Sequence, residues 1–299
     1  MKVLIYGAGG FLGSALVRRF VAGGHSVRGL VRNESAATAL RQAGAEPVLG
    51  DLLADPDGTV AHASEADVVV YAAQLLLEPE RKTVEALIDT LADSGKTLIF
   101  TSGTGVLSQR TDGEWSEDTF GEDDEFVRSK YIGARVDTED LVRAADARGV
   151  RGIVVRPSMI WGHGRSPMLD GFRTSIEKTG AVCYIGRGLN LYSNVHVDDV
   201  AEIYYLAAAK APAGALYHAV SGETNFRTIA EALARRHGVA ARSIDLAEGV
   251  ELWGTFAALI VFSTCSRTRA PRARRELGWQ PHPDRLEVLA ETDVPTSAI

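Results

Sequence analysis

Three glycines open the chemistry of this chain. Gly7, Gly10 and Gly13 follow a short apolar run, residues 1–6, and precede an amphipathic stretch, residues 14–21. Strand, glycine turn and helix in that order make a cradle for a pyrophosphate. The first glycine takes backbone angles closed to other residues, the second lets phosphate approach the main chain, and the third lets helix pack on strand. The N–H groups of the turn, with Phe11 and Leu12 between the glycines, then meet the anion at the positive end of the helix. About twenty residues past the glycines an NAD enzyme usually carries a carboxylate for the ribose 2′-hydroxyl. Here the chain has Val31 and then Arg32. A guanidinium pairs with a 2′-phosphate that a carboxylate would repel, so NADP(H) is the expected cofactor. Glu34 is the nearby residue that argues the other way.

Other polar groups fall at the ends of expected strands. Asp51, in the loop Gly50-Asp51-Leu52, can accept from an adenine amino group, and Leu52 joins it in the expected cofactor contacts. Ala72 and Ala73 are small enough for a cofactor to pass over, and Gln74 completes their loop. Ser102 and Thr104, in the stretch SGTG at 102–105, place two hydroxyls where a substrate oxygen would be met.

Apolar runs and helical spacing indicate the elements that must hold these groups. Strands are expected at 1–6, 25–31, 46–49, 67–71, 97–101, 150–155 and 215–220. The fourth is apolar throughout its centre, as a strand buried on both faces should be. Helical spacing fills 14–21, 35–43, 80–92, 168–178, 199–209 and 227–237, and a long helix is expected from about 125 to 148. Residues 108–124, rich in Asp, Glu, Gly, Ser and Thr, read as a surface loop. Alternation at this rhythm implies crossover connections. The expected fold class is α/β: a Rossmann-type doubly wound parallel sheet with a smaller, interleaved C-terminal substrate domain. Residues 1–160, together with about 190–222, are assigned to the nucleotide-binding domain, and about 161–189 and 223–299 to the mixed substrate-binding portion. Ligands of such sheets lie beyond the carboxyl ends of the strands.

Composition narrows the partners. At 299 residues, 45% hydrophobic and 24% charged, the chain can build a sizeable core. A net charge of −7 and a sequence pI near 5.6 oppose a broad nucleic-acid surface. A small-molecule substrate is expected, and no nucleic acid. Cys183 and Cys265 lie far apart, in neither metal-type nor redox-type spacing, and no metal is expected. The apolar start is about five residues long and lacks a cleavage-site pattern, and the longest later apolar run, residues 256–262, is far short of a bilayer span. No membrane association is expected, and the expected location is cytoplasmic.

Taken together, the motifs resemble the extended short-chain dehydrogenase/reductase family, the group containing nucleotide-sugar epimerases, dehydratases and dihydroflavonol-type reductases. The resemblance covers nearly the whole length: the GxxGxxG start, Gly50-Asp51, the alanine pair, TSGTGV at 101–106, RPSMIWG at 156–162, HVDDVA at 196–201 and RRELGWQP at 274–281. It implies cofactor contacts from Pro157 and Ser158, and a Tyr-xxx-Lys pair whose Tyr moves the substrate proton while Lys binds the nicotinamide ribose and lowers the Tyr pKa. Two registers compete. Phe126 to Lys130 keeps the lysine, and Tyr131 to Arg135 keeps the tyrosine. The second is chosen, because Glu139 then lies four residues beyond Arg135 and seventeen before Arg156, as is common in the family. On a helix, Tyr131, Arg135 and Glu139 would share one face, and Arg135 would favour the ionised phenol.

The family's catalytic Ser/Thr falls nearest Gly103, so Ser102 or Thr104 must substitute. Nucleotide-sugar members often carry an asparagine where Met159 stands, so the resemblance points instead to a reductase of less polar carbonyl compounds, with Met159 and Trp161 offering apolar surface. The implied activity is NADPH-dependent carbonyl reduction. The alternatives are a non-catalytic NADP(H)-sensing regulator and a nucleotide-sugar epimerase or dehydratase. Family members often dimerise through their long helices, so a homodimer is one expectation. His196 reads as a structural residue, and Arg267, Arg269, Arg272, Arg274 and Arg275 as a solvated helix start.

Overall fold

A stretch such as Val68-Val69-Val70-Tyr71 has no polar side chain to offer water and belongs where both faces are covered. The computed structural model, which describes residues 1–75, 77–286, 288 and 289, buries all four at 1% exposure or less. They form one of seven parallel strands: β1 (Lys2–Tyr6), β2 (Ser26–Val31), β3 (Glu46–Leu49), β4 (Val68–Tyr71), β5 (Thr97–Thr101), β6 (Arg151–Pro157) and β7 (Ala215–Ala219). Their order across the sheet is β7-β6-β5-β4-β1-β2-β3. Val3 of β1 pairs with Val27 on one side and Val68 on the other, so the order reverses between β1 and β4. That is the topological switch point where such sheets bind ligands. The α/β doubly wound class is as expected.

Helices cover both faces. Leu16 and Phe20 of α1 (Phe11–Ala22), Ala37 and Leu40 of α2 (Glu34–Gln42), and Val200 and Tyr204 of α7 (Val197–Lys210) fill one core. Trp279 completes it, donating its Nε1–H to the Asp199 carbonyl at 2.9 Å. Val60 of α3 (Pro56–Ala61), Val84 and Leu87 of α4 (Glu78–Leu91) and Val142 of α5 (Arg135–Arg143) fill the other. A third core joins α6 (Pro167–Thr179), α8 (Phe226–His237) and α9 (Leu246–Trp253) around the rings of Phe172, Phe226 and Phe262. Beside it, Met159–Trp161, Leu191–His196 and Gly222–Asn225 make a three-stranded sheet, and Ala181–Ile185 pairs with Ala240–Ile244. Residues 290–299 of the proposed substrate portion lie outside the described residues. No helix among the described residues is long and apolar enough to cross a membrane.

Two expectations need correction. The helix expected over 125–148 is α5 alone, followed by a 3-10 turn at Ala144–Arg148, and Tyr131 precedes it. Residues 125–134 cannot bury a helical stripe: Val127 is 90% exposed and Gly133 lowers helix propensity. Arg128 instead folds back onto Asp137 and Asp140. The expected surface loop at 108–124 is partly anchored, since Gln109–Arg110 pairs with Thr264–Cys265 and the Phe120 N–H donates to the Arg267 carbonyl at 3.0 Å.

One buried cluster ties α5 to the sheet. Arg156, on β6, donates from Nε to Glu139 Oε1 at 3.0 Å and Oε2 at 3.1 Å, and from Nη2 to Oε2; the two side chains are 4% and 1% exposed. Removing one partner strands a buried charge. Glu139→Ala is therefore expected to cost about 3–5 kcal/mol. The paired replacement Glu139→Leu with Arg156→Met should cost far less, as read from urea unfolding midpoints of the three proteins.

Candidate functional site

The glycine turn is shaped by contacts that leave no room for side chains. Gly7 has φ +81°, and a Cβ there would lie 2.6 Å from the Ala72 carbonyl oxygen. A Cβ on Gly13 would lie 2.0 Å from the carbonyl oxygen of Gly7. The main chain of β1, the loop after β4 and the start of α1 are thus in direct contact. No side chain caps α1 and no acidic residue stands in its first turn, so the first N–H groups of the helix face outward without an intrahelical acceptor. This cradle fits a dinucleotide pyrophosphate.

At the end of β2, Val31 is buried and Arg32 exposed. Asn33 caps α2, its Oδ1 accepting from the Ala36 N–H at 2.9 Å, while Glu34 is engaged by Arg41 at 2.5 Å. Asp51 Oδ1 accepts from the backbone N–H groups of Leu53 at 2.8 Å and Ala54 at 3.3 Å. Those bonds, helped by the Arg32 charge, hold its carboxyl below the usual range. Leu52 points into the core, so only its main chain is open to a ligand. Ala72 and Ala73 are half-buried and Gln74 is exposed.

The two candidate hydroxyls after β5 part company. Ser102 turns inward and donates to Glu139, which leaves it no free proton for a substrate oxygen. Thr104 is 1% exposed, its Oγ1 has no hydrogen-bond partner, and it lines the main cavity. Gly103 leaves space there: an added Cβ would come no closer than 3.7 Å to the Pro157 carbonyl oxygen. Pro157 and Ser158 line the same cavity, with the Ser158 hydroxyl donating to the Ala219 carbonyl at 2.9 Å.

Tyr131 and Arg135 are not brought together on one helix face. Arg135 opens α5 and donates from Nε and Nη2 to Glu80, at 2.8 and 2.6 Å, and from Nη2 to the Thr101 carbonyl at 3.1 Å. Glu80 is fully buried, and that burial pushes its pKa up against the pull of Arg135. Tyr131, 42% exposed, lies in a side pocket of about 300 Å³ with Leu77 and Phe256. Ile132 lines both this pocket and the main cavity.

The main cavity has a volume of about 800 Å³. It runs from Phe11, Leu12, Gln74, Thr104 and Arg135 to Met159, Met168, Tyr192, Trp253 and Phe262. Met159 faces it, whereas Trp161 is buried and donates its Nε1–H to Asn194 Oδ1 at 2.9 Å. Glu80 and the Trp253–Phe262 stack, with ring centres 4.0 Å apart, were not anticipated; the apolar run at 256–262 was the available signal for the second. His196 Nδ1 accepts from the Asp198 N–H at 3.2 Å and caps α7. Asp198 in turn meets His163 at 3.0 Å and faces Arg285 and Arg18 at 3.3 and 3.7 Å.

Three comparisons with known proteins bear on this geometry. Residues 3–220 match the family model described as the NAD-dependent epimerase/dehydratase family. An uncharacterized protein of Schizosaccharomyces pombe is 30% identical over 94% of this chain and 95% of its own. A 4-hydroxy-2-methyl-3-oxo-4-farnesyl-3,4-dihydroquinoline-1-oxide ketoreductase of Stigmatella aurantiaca is 28% identical over 74% of this chain and 69% of its own. The fold matches a dTDP-glucose 4,6-dehydratase of Bacillus anthracis, solved in complex with NAD, with a TM-score of 0.76 over 98% of this chain and 95% of that one, at 16% identity. The chain belongs to the NAD-dependent epimerase/dehydratase family, and a nicotinamide cofactor is supported.

His218, on β7, packs against the Arg156 end of the buried ion pair. Its ring is fully buried, with Nε2 3.4 Å from Arg156 Nη1 and Nδ1 3.0 Å from the Arg269 carbonyl. Burial and then the Arg156 charge lower its pKa from 6.5 to about 3. Its contribution to stability is complete above pH 6.5 and is lost as pH falls from there toward 3, because the unfolded chain binds the proton first. Between pH 7.5 and 5, His218→Gln is expected to lose about 2 kcal/mol less stability than the wild type, measured as the difference in denaturant midpoints.

Proposed function

We propose that this member of the NAD-dependent epimerase/dehydratase family is an NADPH-dependent reductase acting on the carbonyl of a small, fairly apolar molecule. The cavity carries the reading: it joins the glycine turn and Thr104 to a far end of Met159, Met168, Trp253 and Phe262. Bound cofactor would supply hydride. Thr104, whose Oγ1 is buried without a partner, holds the carbonyl oxygen. Tyr131, in the turn just before α5, supplies the proton. The ketoreductase relative supports reduction of a ketone.

NADPH is favoured over NADH by Arg32, which makes no ion pair among the described residues, while Arg41 occupies the rival carboxylate of Glu34. Met159 in the asparagine's place weighs against a nucleotide sugar. A second reading, a non-catalytic NADP(H) sensor, is favoured by one observation: Tyr131 sits in the side pocket, with Gly103 supplying no hydroxyl.

NADPH fluorescence, followed while apolar ketones and aldehydes are offered, separates the two. Oxidation of NADPH with NADH much weaker is expected. Arg32→Ala should narrow that preference about tenfold. Tyr131→Phe should abolish turnover with NADPH binding nearly intact, and equal turnover would remove Tyr131 from the chemistry. Binding without oxidation across the whole panel would overturn the reductase in favour of the sensor.

A further inference from the structure

Beyond the glycine turn, a second cationic group stands at the start of α1. Gly162 and Arg165 exchange two backbone bonds, Gly162 N–H to the Arg165 carbonyl at 3.0 Å and Arg165 N–H to the Gly162 carbonyl at 3.1 Å. Between them the chain turns through positive φ at Gly162 (138°), His163 (54°) and Gly164 (75°). His163 is held to Asp198, so this tight turn is fixed at its tip as well as its base. It delivers Arg165 to a defined place, with the guanidinium carbon 5.1 Å from the ring centre of Phe11, the first residue of α1.

Arg165 is exposed and makes no ion pair among the described residues. Arg18 and Arg285, by contrast, face Asp198, and Arg173 on α6 pairs with Asp170 at 2.7 Å. A guanidinium stacked on an aromatic face keeps its N–H edge available, and that edge matches two oxygens of a phosphate. Phe11, whose ring it covers, opens α1, and the first turn of that helix is uncapped and free of acidic residues.

We propose that Arg165 is a cofactor-binding residue whose guanidinium would pair with the pyrophosphate of a dinucleotide held at the start of α1. The inference rests on the reading that a dinucleotide occupies the Gly7–Gly13 turn. Arg165 belongs to the turn after the Met159–Trp161 strand, so the segment that begins the apolar half of the cavity also grips the cofactor. The pyrophosphate is common to NADPH and NADH, whereas the 2′-phosphate is not, and this separates Arg165 from Arg32.

Dissociation constants of NADPH and NADH for the full chain, measured by calorimetry without substrate, test this. Arg165→Ala should weaken both about tenfold, and by the same factor. Arg165→Lys should recover part of the loss, since it keeps the charge but not the fork. Arg173→Ala, which removes a half-buried arginine already paired with Asp170, should change neither. Unchanged affinity for both cofactors in Arg165→Ala, or a loss confined to NADPH, would overturn the assignment. Failure of the wild-type chain to bind either dinucleotide would overturn the cofactor reading itself, and the Arg165 proposal with it.

Discussion

The salt bridge between Arg156 and Glu139 sets the terms for the rest of the site. Two charges taken out of water must satisfy each other and then find partners for whatever lone pairs and protons remain. Glu139 accepts a further hydrogen bond from the Ser102 hydroxyl, and Arg156 approaches His218. These contacts lock α5 against the ends of β5, β6 and β7 before any ligand is considered. The cost falls on Ser102, whose hydroxyl is spent on the core. Thr104, two residues on, lines the cavity and keeps a hydroxyl with no hydrogen-bond partner.

A second pair fixes the other end of α5. Arg135 reaches across to Glu80 on α4 and to the Thr101 carbonyl, so its Nε and Nη2 donors are committed. A lysine at this position would offer three rotating donors to a ribose. This arginine is instead a planar brace between helix and sheet. Its charge is largely answered by Glu80 before it reaches a phenol.

Much of this fold was legible because its causes are local. The glycine spacing reports main-chain contacts that exclude Cβ atoms, and strands such as Val68–Tyr71 report burial on both faces. The seventeen-residue spacing from Glu139 to Arg156, legible as a family pattern, turns out to have an ion pair as its physical content. What escaped the sequence depended on partners remote in the chain. Glu80 lies 55 residues from Arg135, and nothing near either residue announces the other. Spacing located Ser102 and Thr104 in a loop but could not say which hydroxyl turned inward. The helix expected before Arg135 had acceptable local propensity, yet it had no apolar face to bury. The aromatic end of the cavity is assembled from 159–192 and 251–262, segments far apart in the chain whose meeting no local pattern announces.

Trp279 carries a consequence for biosynthesis. It is 1% exposed in the same core as Phe20 and Tyr204, and its indole is bonded to the main chain of α7. During translation, α7 leaves the ribosome long before the residue that packs on it. Until Trp279 is made, the nascent polypeptide carries an uncovered apolar patch beside α7, open to chaperones and to wrong partners. A message cut short before codon 279 would thus yield a product with most of its sheet and an unsealed core, a natural substrate for proteolysis.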